Sequence, residues 1–124
     1  MEPPRRIVVL DDDARVRQLV LSAFRPPAFE VHAFGDGRDA LMKLHEIRPD
    51  LILSDVWMPN VDGRVFLQMV KRSESLKNVP FLFLTAQAGS ADMIKGIQVG
   101  AKHFITKPFK IEDVVQKVKK LVPV

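Results

Sequence analysis

The stretch that decides the fold is Ile7-Val8-Val9-Leu10-Asp11-Asp12-Asp13, an apolar run that ends abruptly at three carboxylates. Three later apolar runs lead in turn to Asp55, Thr85 and Lys107. These runs are Leu51-Ile52-Leu53, Phe81-Leu82-Phe83-Leu84 and Phe104-Ile105. If the runs are parallel strands, their carboxyl ends share one edge of a sheet, where open α/β sheets bind ligands. The sequence therefore predicts carboxylates, a hydroxyl and an ammonium around one spot, a set that suits a divalent cation with a phosphoryl group.

Amphipathic segments separate these runs. The clearest has apolar residues at helical spacing from Val16 to Phe24, and Pro26-Pro27 stops it. The same patterns predict a strand over Phe29 to Phe34 and further helices around residues 40–44, 65–70, 91–99 and 111–122. Strict alternation of strands and helices predicts an α/β fold, with a parallel sheet covered on both faces in one domain that fills residues 1–124.

Composition narrows the class of protein. A chain of 124 residues with 47% apolar side chains suits one domain with one core. No apolar stretch approaches the roughly 20 residues of a membrane span, and the basic start runs into a triple aspartate, so we expect neither membrane insertion nor a signal peptide. The absence of cysteine excludes disulfides and cysteine-based zinc sites, and it fits the cytoplasmic location that we expect.

The charge distribution argues against direct nucleic-acid binding. The net charge is +4, but the 19 lysines and arginines are spread along the chain and there is no tyrosine for stacking. A denser basic group on the last predicted helix is read as a solvated face that complements the helix C-terminus, with binding to an acidic partner as the alternative. Its members are Lys110, Lys117, Lys119 and Lys120.

Each polar island has an ordinary structural explanation when it is taken alone. Asp13 has the position of an N-cap, and Asp55, Thr85 and Lys107 are unremarkable for a loop, a strand and a solvated surface. Three adjacent carboxylates nevertheless exceed what a cap needs, and their repulsion disfavours folding unless a cation binds there. The joint occurrence of the islands at four strand ends is therefore the informative signal.

These islands resemble the motifs of a response-regulator receiver domain, the CheY-like phosphoacceptor family of two-component signalling. The similarity runs from about residue 7 to residue 121, and type, order and spacing all agree. It rests on Val9-Leu10-Asp11-Asp12-Asp13, Ser54-Asp55-Val56-Trp57-Met58-Pro59 with Asp62-Gly63, Leu84-Thr85-Ala86, and Gly100 to Phe109 with its Lys107-Pro108. The resemblance implies a doubly wound, flavodoxin-like (βα)5 fold with strand order 2-1-3-4-5.

The resemblance also implies a ligand set. Asp55 would be the nucleophile that takes a phosphoryl group from a sensor histidine kinase or a phosphotransfer protein. Asp12 and Asp55 would ligate Mg²⁺, or Mn²⁺ in its place, with Asp11 acting through a water and the backbone carbonyl of Trp57 adding a ligand. The chain would be a regulatory domain that assists only its own phosphorylation and dephosphorylation, not an enzyme acting on other substrates.

A phosphoryl-sensing group follows from the same resemblance. Lys107, the Thr85 hydroxyl and the backbone of Ala86 would bind the phosphoryl oxygens. Thr85 would then move toward the phosphoryl group and Phe104 would rotate inward, which changes the surface of the fourth predicted helix, last strand and last helix for a downstream protein effector. The Lys107-Pro108 peptide would be cis.

Departures from the family pattern concern rate and assembly. Trp57 is bulkier than the usual residue two positions after the phosphoacceptor, so we expect slow self-dephosphorylation. Gln87 is the second rate-tuning position, and by orienting water it would have the opposite effect. Lys102-His103 replaces the acidic pair of transcription-factor receivers, which argues against their charged dimer interface.

Two alternatives stay open at this point. One is an unphosphorylated pseudo-receiver that serves as a protein-interaction scaffold. A scaffold, however, has no chemical need for the five residues Asp11, Asp12, Asp55, Thr85 and Lys107. The other is a haloacid-dehalogenase-type phosphatase, whose Asp-x-Asp pattern is formally present in Asp11-Asp12-Asp13. The chain has no room for a cap domain and no second acidic motif late in the sequence.

Overall fold

A computed structural model describes residues 3–56, 58, 62–85 and 103–122. Its five strands are β1 Arg5–Leu10, β2 Phe29–Phe34, β3 Leu51–Asp55, β4 Phe81–Thr85 and β5 His103–Thr106. The helices in the described residues are α1 Ala14–Ala23, α2 Gly37–Ile47, α3 Gly63–Arg72 and α4 Ile111–Leu121. All neighbouring strands are parallel, in the order β2-β1-β3-β4-β5, which confirms the predicted fold. The helix predicted around residues 91–99 lies outside the described residues.

The core has two parts, one on each face of the sheet. Val8 and Ile52 face the side that is covered by α2 and α3, whereas Ile7 and Leu53 face the side that is covered by α1 and α4. Every residue of β3 is buried, as expected for the central strand of a parallel sheet covered on both faces. The continuous apolar runs of the sequence follow from this double burial.

Aspartates begin the first three helices at the carboxyl edge of the sheet. The side chains of Asp13, Asp36 and Asp62 each accept a hydrogen bond from the backbone N–H two residues later. This arrangement satisfies donors that a helix start leaves unpaired. The predicted N-cap role of Asp13 is confirmed.

Two helices bury a narrower stripe than the apolar pattern suggests. Leu19 of α1 is 45% exposed, and Val65 and Met69 of α3 are 47% and 46% exposed. In α3 the buried side chains are Phe66, Leu67 and Val70, because the face that meets the sheet is rotated slightly from the one the pattern predicts. Among the described residues, no helix is long and apolar enough to cross a membrane.

Candidate functional site

Three carboxylates converge at the carboxyl edge of the sheet. Asp11 follows β1 and is fully buried, Asp55 is the last residue of β3 and is 9% exposed, and Asp12 is exposed. One oxygen from each carboxylate lies within 4.8 Å of the others. The β1–β3 register explains this proximity, because it pairs Leu10 with Ser54 and so brings the next residues of both strands side by side.

Lys107 brings a positive charge into this acidic cluster from the loop after β5. Its Nζ lies 2.7 Å from Oδ2 of Asp11 and 3.3 Å from Oδ2 of Asp55. Burial alone would lower the pKa of Lys107, but the hydrogen bond to Asp11 and the charges of both carboxylates more than reverse this, so the pKa is raised. The lysine therefore stays charged and offsets part of the carboxylate repulsion.

The environment of Asp55 works against its charge. Burial raises the pKa of the Asp55 carboxyl, and although Lys107 lowers it, the neighbouring Asp11 adds to the rise, so the pKa lies above its usual value. A cation beside Asp55 would relieve both the burial penalty and the repulsion from Asp11. The charged carboxylates therefore destabilise the fold when they are alone, and a shared divalent ion would reduce that cost.

Asp11 is held in place by hydrogen bonds to both its side chain and its main chain. Its Oδ1 accepts the backbone N–H of Asp13 at 2.9 Å, while Oδ2 accepts from Lys107. The Arg17 guanidinium on α1 donates to the Asp11 main-chain carbonyl at 2.5 Å. An added Cβ on Gly35 would meet Nη1 of Arg17 at 3.0 Å, so the glycine leaves room for this contact. Arg17 has no sequence signal, because it is one polar residue among several on α1.

Gly63 allows α3 to begin directly against the end of β3. A Cβ at this position would lie 2.2 Å from the backbone oxygen of Asp55 and 3.0 Å from Cα of Val56. The Gly63 N–H donates to the Val56 carbonyl at 2.8 Å, and the Ser54 hydroxyl donates to the Asp55 carbonyl at the same distance. The sequence motif includes Gly63, but this close approach becomes visible only once the helix is packed.

The acidic cluster fits a hard divalent cation. Carboxylate oxygens are the ligands that Mg²⁺ prefers, and three of them lie within reach of one ion. Both oxygens of Asp11 already accept hydrogen bonds, whereas Asp12 is exposed. This division favours Asp12 and Asp55 as direct ligands, with Asp11 in a supporting role.

Some of the remaining predicted site residues lie within the described part of the chain, and others lie outside it. Phe104 on β5 is half-buried, and its ring centroid lies 5.8 Å from that of Phe83. The backbone of Thr85 ends β4 and pairs with Thr106. The Lys107–Pro108 peptide is cis, as is Pro26–Pro27, which no sequence pattern predicts. Trp57, Ala86 and Gln87 lie outside the described residues, and so does Lys102 of the Lys102-His103 pair.

Comparison with known proteins matches residues 7–119 to the response regulator receiver domain. The chain is 36% identical over 115 residues to the DNA-binding response regulator MtrA of Mycobacterium tuberculosis, covering 93% of this chain and 49% of that protein. It is 34% identical to the phosphate regulon transcriptional regulatory protein PhoB of Klebsiella pneumoniae, again over 93% of this chain and 50% of that protein.

Similar solved structures are also those of response regulators. Chemotaxis response regulator CheY4 of Vibrio cholerae superimposes with a TM-score of 0.89 at 31% identity, covering 96% of this chain and 99% of that one. A putative response regulator from Chloroflexus aurantiacus has a TM-score of 0.87 at 30% identity, covering 95% and 97%. The chain spans about half the length of the curated relatives it matches. Since MtrA is named as DNA-binding, the expectation against direct nucleic-acid binding gains no support from these relatives.

Proposed function

Since the chain belongs to the response regulator receiver domain family, we propose that it is a signalling switch operated by phosphorylation of Asp55. The observation that carries the proposal is the grouping of Asp11, Asp12, Asp55 and Lys107 at one edge of the sheet. The phosphoryl donor would be a phosphohistidine of a sensor histidine kinase or a phosphotransfer protein. The proposal includes residues 1–124 as a single receiver domain and a cytoplasmic location.

The proposed reaction is transfer of a phosphoryl group between two side chains. A carboxylate oxygen of Asp55 bonds to phosphorus while the phosphorus–nitrogen bond of the donor breaks, which gives an acyl phosphate on Asp55. The electron pair of the broken bond stays on the imidazole, which leaves as neutral histidine once protonated. Mg²⁺, when bound by Asp12, Asp55 and the Trp57 carbonyl, would supply positive charge for the phosphoryl oxygens.

Lys107 would become a phosphoryl ligand in this reaction. Its Nζ is already within hydrogen-bonding range of Asp11 and close to Asp55, so only a small shift would bring it to an oxygen carried by Asp55. As a compact point charge, the ammonium can follow such a shift without a fixed geometry. Thr85 and the backbone of Ala86 would bind the other phosphoryl oxygens, and Asp11 would act on the cation through a water.

The output of the switch would come from β5. Phe104 is only half-buried beside Phe83, and its ring would move further inward when Thr85 shifts toward the phosphoryl group. The surface formed by the helix predicted around residues 91–99, β5 and α4 would then present a different shape to a downstream protein effector. Trp57 and Gln87 would set how long the phosphorylated state lasts.

The experiment that tests this function uses Trp57, which is the only tryptophan of the chain, as a fluorescent probe. Mg²⁺ is added first, followed by acetyl phosphate, and intact mass is recorded in parallel with Asp55→Asn as the control. We expect a saturable change with Mg²⁺ and a second change with acetyl phosphate, accompanied by one added phosphoryl group in the wild type alone. An unchanged mass and silent fluorescence would favour the unphosphorylated scaffold, and turnover of a small phosphate ester would favour a phosphatase.

A further inference from the structure

The β2 strand lies at one edge of the sheet and leaves one side of its backbone open. Among the described residues, β2 pairs only with β1. The Ala28 carbonyl accepts a hydrogen bond from Arg5 of β1, and the Phe34 carbonyl accepts one from Asp11, the residue after β1. Along a strand, successive residues direct their N–H and C=O groups to opposite sides. The even-numbered residues of β2 therefore face β1, whereas Phe29, Val31 and Ala33 direct their N–H and C=O groups to the open edge.

The open edge is suited to an antiparallel partner strand. In the described part of the chain the backbone groups of Val31 and Ala33 have no partner at this edge, while the Phe29 N–H already donates to the Arg25 carbonyl at 3.2 Å. A flat edge strand with unpaired donors and acceptors is a template for pairing. β2 carries no proline between Phe29 and Phe34 to block such pairing.

Side-chain charge distinguishes between the registers that two copies of β2 can adopt. An antiparallel pair that uses the outward-facing backbone groups can have its two-fold axis at Glu30, at His32 or at Val31. The first places Glu30 opposite Glu30, and the second places His32 opposite His32. The third places Glu30 of each copy opposite His32 of the other. Like charges directly across an antiparallel pair destabilise it, whereas a carboxylate across from an imidazole can accept a hydrogen bond from a ring N–H. Only the third register is self-complementary.

We propose that two copies of this chain associate through antiparallel pairing of their β2 strands, with Val31 at the two-fold axis. Glu30 of each copy then lies opposite His32 of the other, and Phe29 lies opposite Ala33. Symmetric closure of this kind consumes the open edge of both copies and stops at a dimer.

The two faces of the proposed interface have different chemistry. On the face covered by α1, the cross-strand pairs are Phe29 with Ala33 and Val31 with Val31, which are all apolar and belong to or pack against the core. On the face covered by α2, the pairs are Glu30 with His32. Within one chain Oε2 of Glu30 lies 3.0 Å from Nε2 of His32 and 3.2 Å from Nε of Arg6, so its charge is already oriented on this face.

Other charges near this pair leave the register unchanged. Lys43 and Glu46 of α2 line the same shallow surface as Arg6, Glu30 and His32, and they pair with each other at 3.5 Å. Their charges cancel each other, so Arg6, Glu30 and His32 set the field at the edge, and Arg6 already pairs with Glu30 of its own chain. The dimer leaves β5 and α4 accessible, because β5 lies at the opposite edge of the sheet. Association is therefore independent of the proposed phosphorylation.

The charge pairing is tested by sedimentation of the whole chain over a range of concentrations. His32→Glu places Glu opposite Glu twice, and we expect it to weaken dimerisation by about tenfold or more. The swap Glu30→His with His32→Glu restores a carboxylate opposite an imidazole in the same register and should recover the dimer. His45→Glu makes the same substitution on an exposed face of α2 and should have no effect. A wild-type chain that stays monomeric up to about 1 mM, or a dimer indifferent to His32→Glu, would overturn the proposal.

Backbone pairing is tested separately, so that a charge effect on folding cannot imitate the result. Ala33→Pro removes an N–H that faces the open edge and spares the bonds to β1, so the chain should keep its circular dichroism and lose the dimer. Since the chain has no cysteine, Glu30→Cys and His32→Cys can be mixed and oxidised. We expect disulfide-linked heterodimers from the mixture and little linkage from either variant alone. Efficient linkage of Glu30→Cys with itself, or a dimer that survives Ala33→Pro, would overturn the register.

Discussion

Lys107 is bound more closely by Asp11 than by Asp55, the proposed phosphoacceptor. Its Nζ lies 2.7 Å from Oδ2 of Asp11, against 3.3 Å from Oδ2 of Asp55. Lys107 therefore neutralises part of the negative charge on Asp11 that would otherwise attract a divalent cation. Cation binding and the position of the ammonium are coupled through this shared carboxylate.

Replacing Lys107 should consequently affect the two ligands in opposite directions. We expect Lys107→Met to tighten Mg²⁺ binding by about tenfold, because a positive charge a few ångströms from the ion is removed from a partly buried site. The response to acetyl phosphate should be lost, since the phosphoryl oxygens then lack their cationic partner. Fluorescence titration of Trp57 measures both effects.

The matched control for this experiment is Lys110→Met, which removes an exposed lysine three residues further along the chain. It should leave Mg²⁺ affinity within about twofold, because exposed charges at longer range are screened. Weaker Mg²⁺ binding by Lys107→Met would contradict the competition for Asp11.

The stability of the metal-free chain should depend on the protonation of Asp55. Burial, reinforced by Asp11 and opposed by Lys107, raises the pKa of Asp55 in the folded state. A raised pKa favours folding below the unfolded value of about 3.9, and that contribution is lost as pH rises through the folded pKa. The free energy of unfolding of the wild type should thus fall relative to that of Asp55→Asn as pH rises through this window.

Urea unfolding at several pH values without Mg²⁺ measures this difference. Asp39→Asn, which removes a carboxylate from the exposed surface of α2, controls for the loss of one negative charge. Adding Mg²⁺ near pH 7 should stabilise the wild type more than Asp55→Asn, because only the wild type keeps the full ligand set. A difference between wild type and Asp55→Asn that stays constant with pH would show that burial of Asp55 carries no cost.

The sequence predicts the fold and the acidic cluster because both follow from local pattern. An apolar run that ends at Asp11 or Asp55 marks a buried parallel strand and its carboxyl end, and parallel strands must bring those ends together. The hydrogen bond from Arg17 to Asp11 and the preference of Lys107 for Asp11 are different in kind. They depend on how α1 and the β5–α4 loop pack, and no spacing rule encodes those distances. The partial exposure of Val65 has the same origin, since packing sets the rotation of α3.

Gly63 should be intolerant of any side chain. The Cβ of alanine would lie 2.2 Å from the Asp55 carbonyl oxygen, which is backbone that cannot yield without moving β3 or α3. We expect Gly63→Ala to lower the free energy of unfolding by roughly 1–3 kcal/mol, as other overpacked sites do, and to slow phosphorylation of Asp55. Urea unfolding and intact mass after acetyl phosphate measure the two effects.

Gly35→Ala provides the comparison for this prediction. At Gly35 the nearest atom to an added Cβ is the end of the flexible Arg17 side chain, at 3.0 Å. We therefore expect a loss of stability less than half that of Gly63→Ala. Equal losses at the two positions would mean that contact with the Asp55 backbone is not what makes Gly63 necessary.

Trp57 provides the final prediction, which concerns the lifetime of the phosphorylated state. It follows Asp55 by two residues, and a bulky indole there would shield the acyl phosphate from attacking water. Trp57→Asn should speed self-dephosphorylation by about tenfold, which corresponds to roughly 1.4 kcal/mol of activation free energy. Trp57→Phe keeps a large apolar ring and should retain most of the slow rate. The measurement is the decay of the phosphorylated mass after removal of acetyl phosphate, because the substitutions remove the fluorophore. Equal decay rates in all three chains would assign the lifetime to another residue, with Gln87 as the next position to replace.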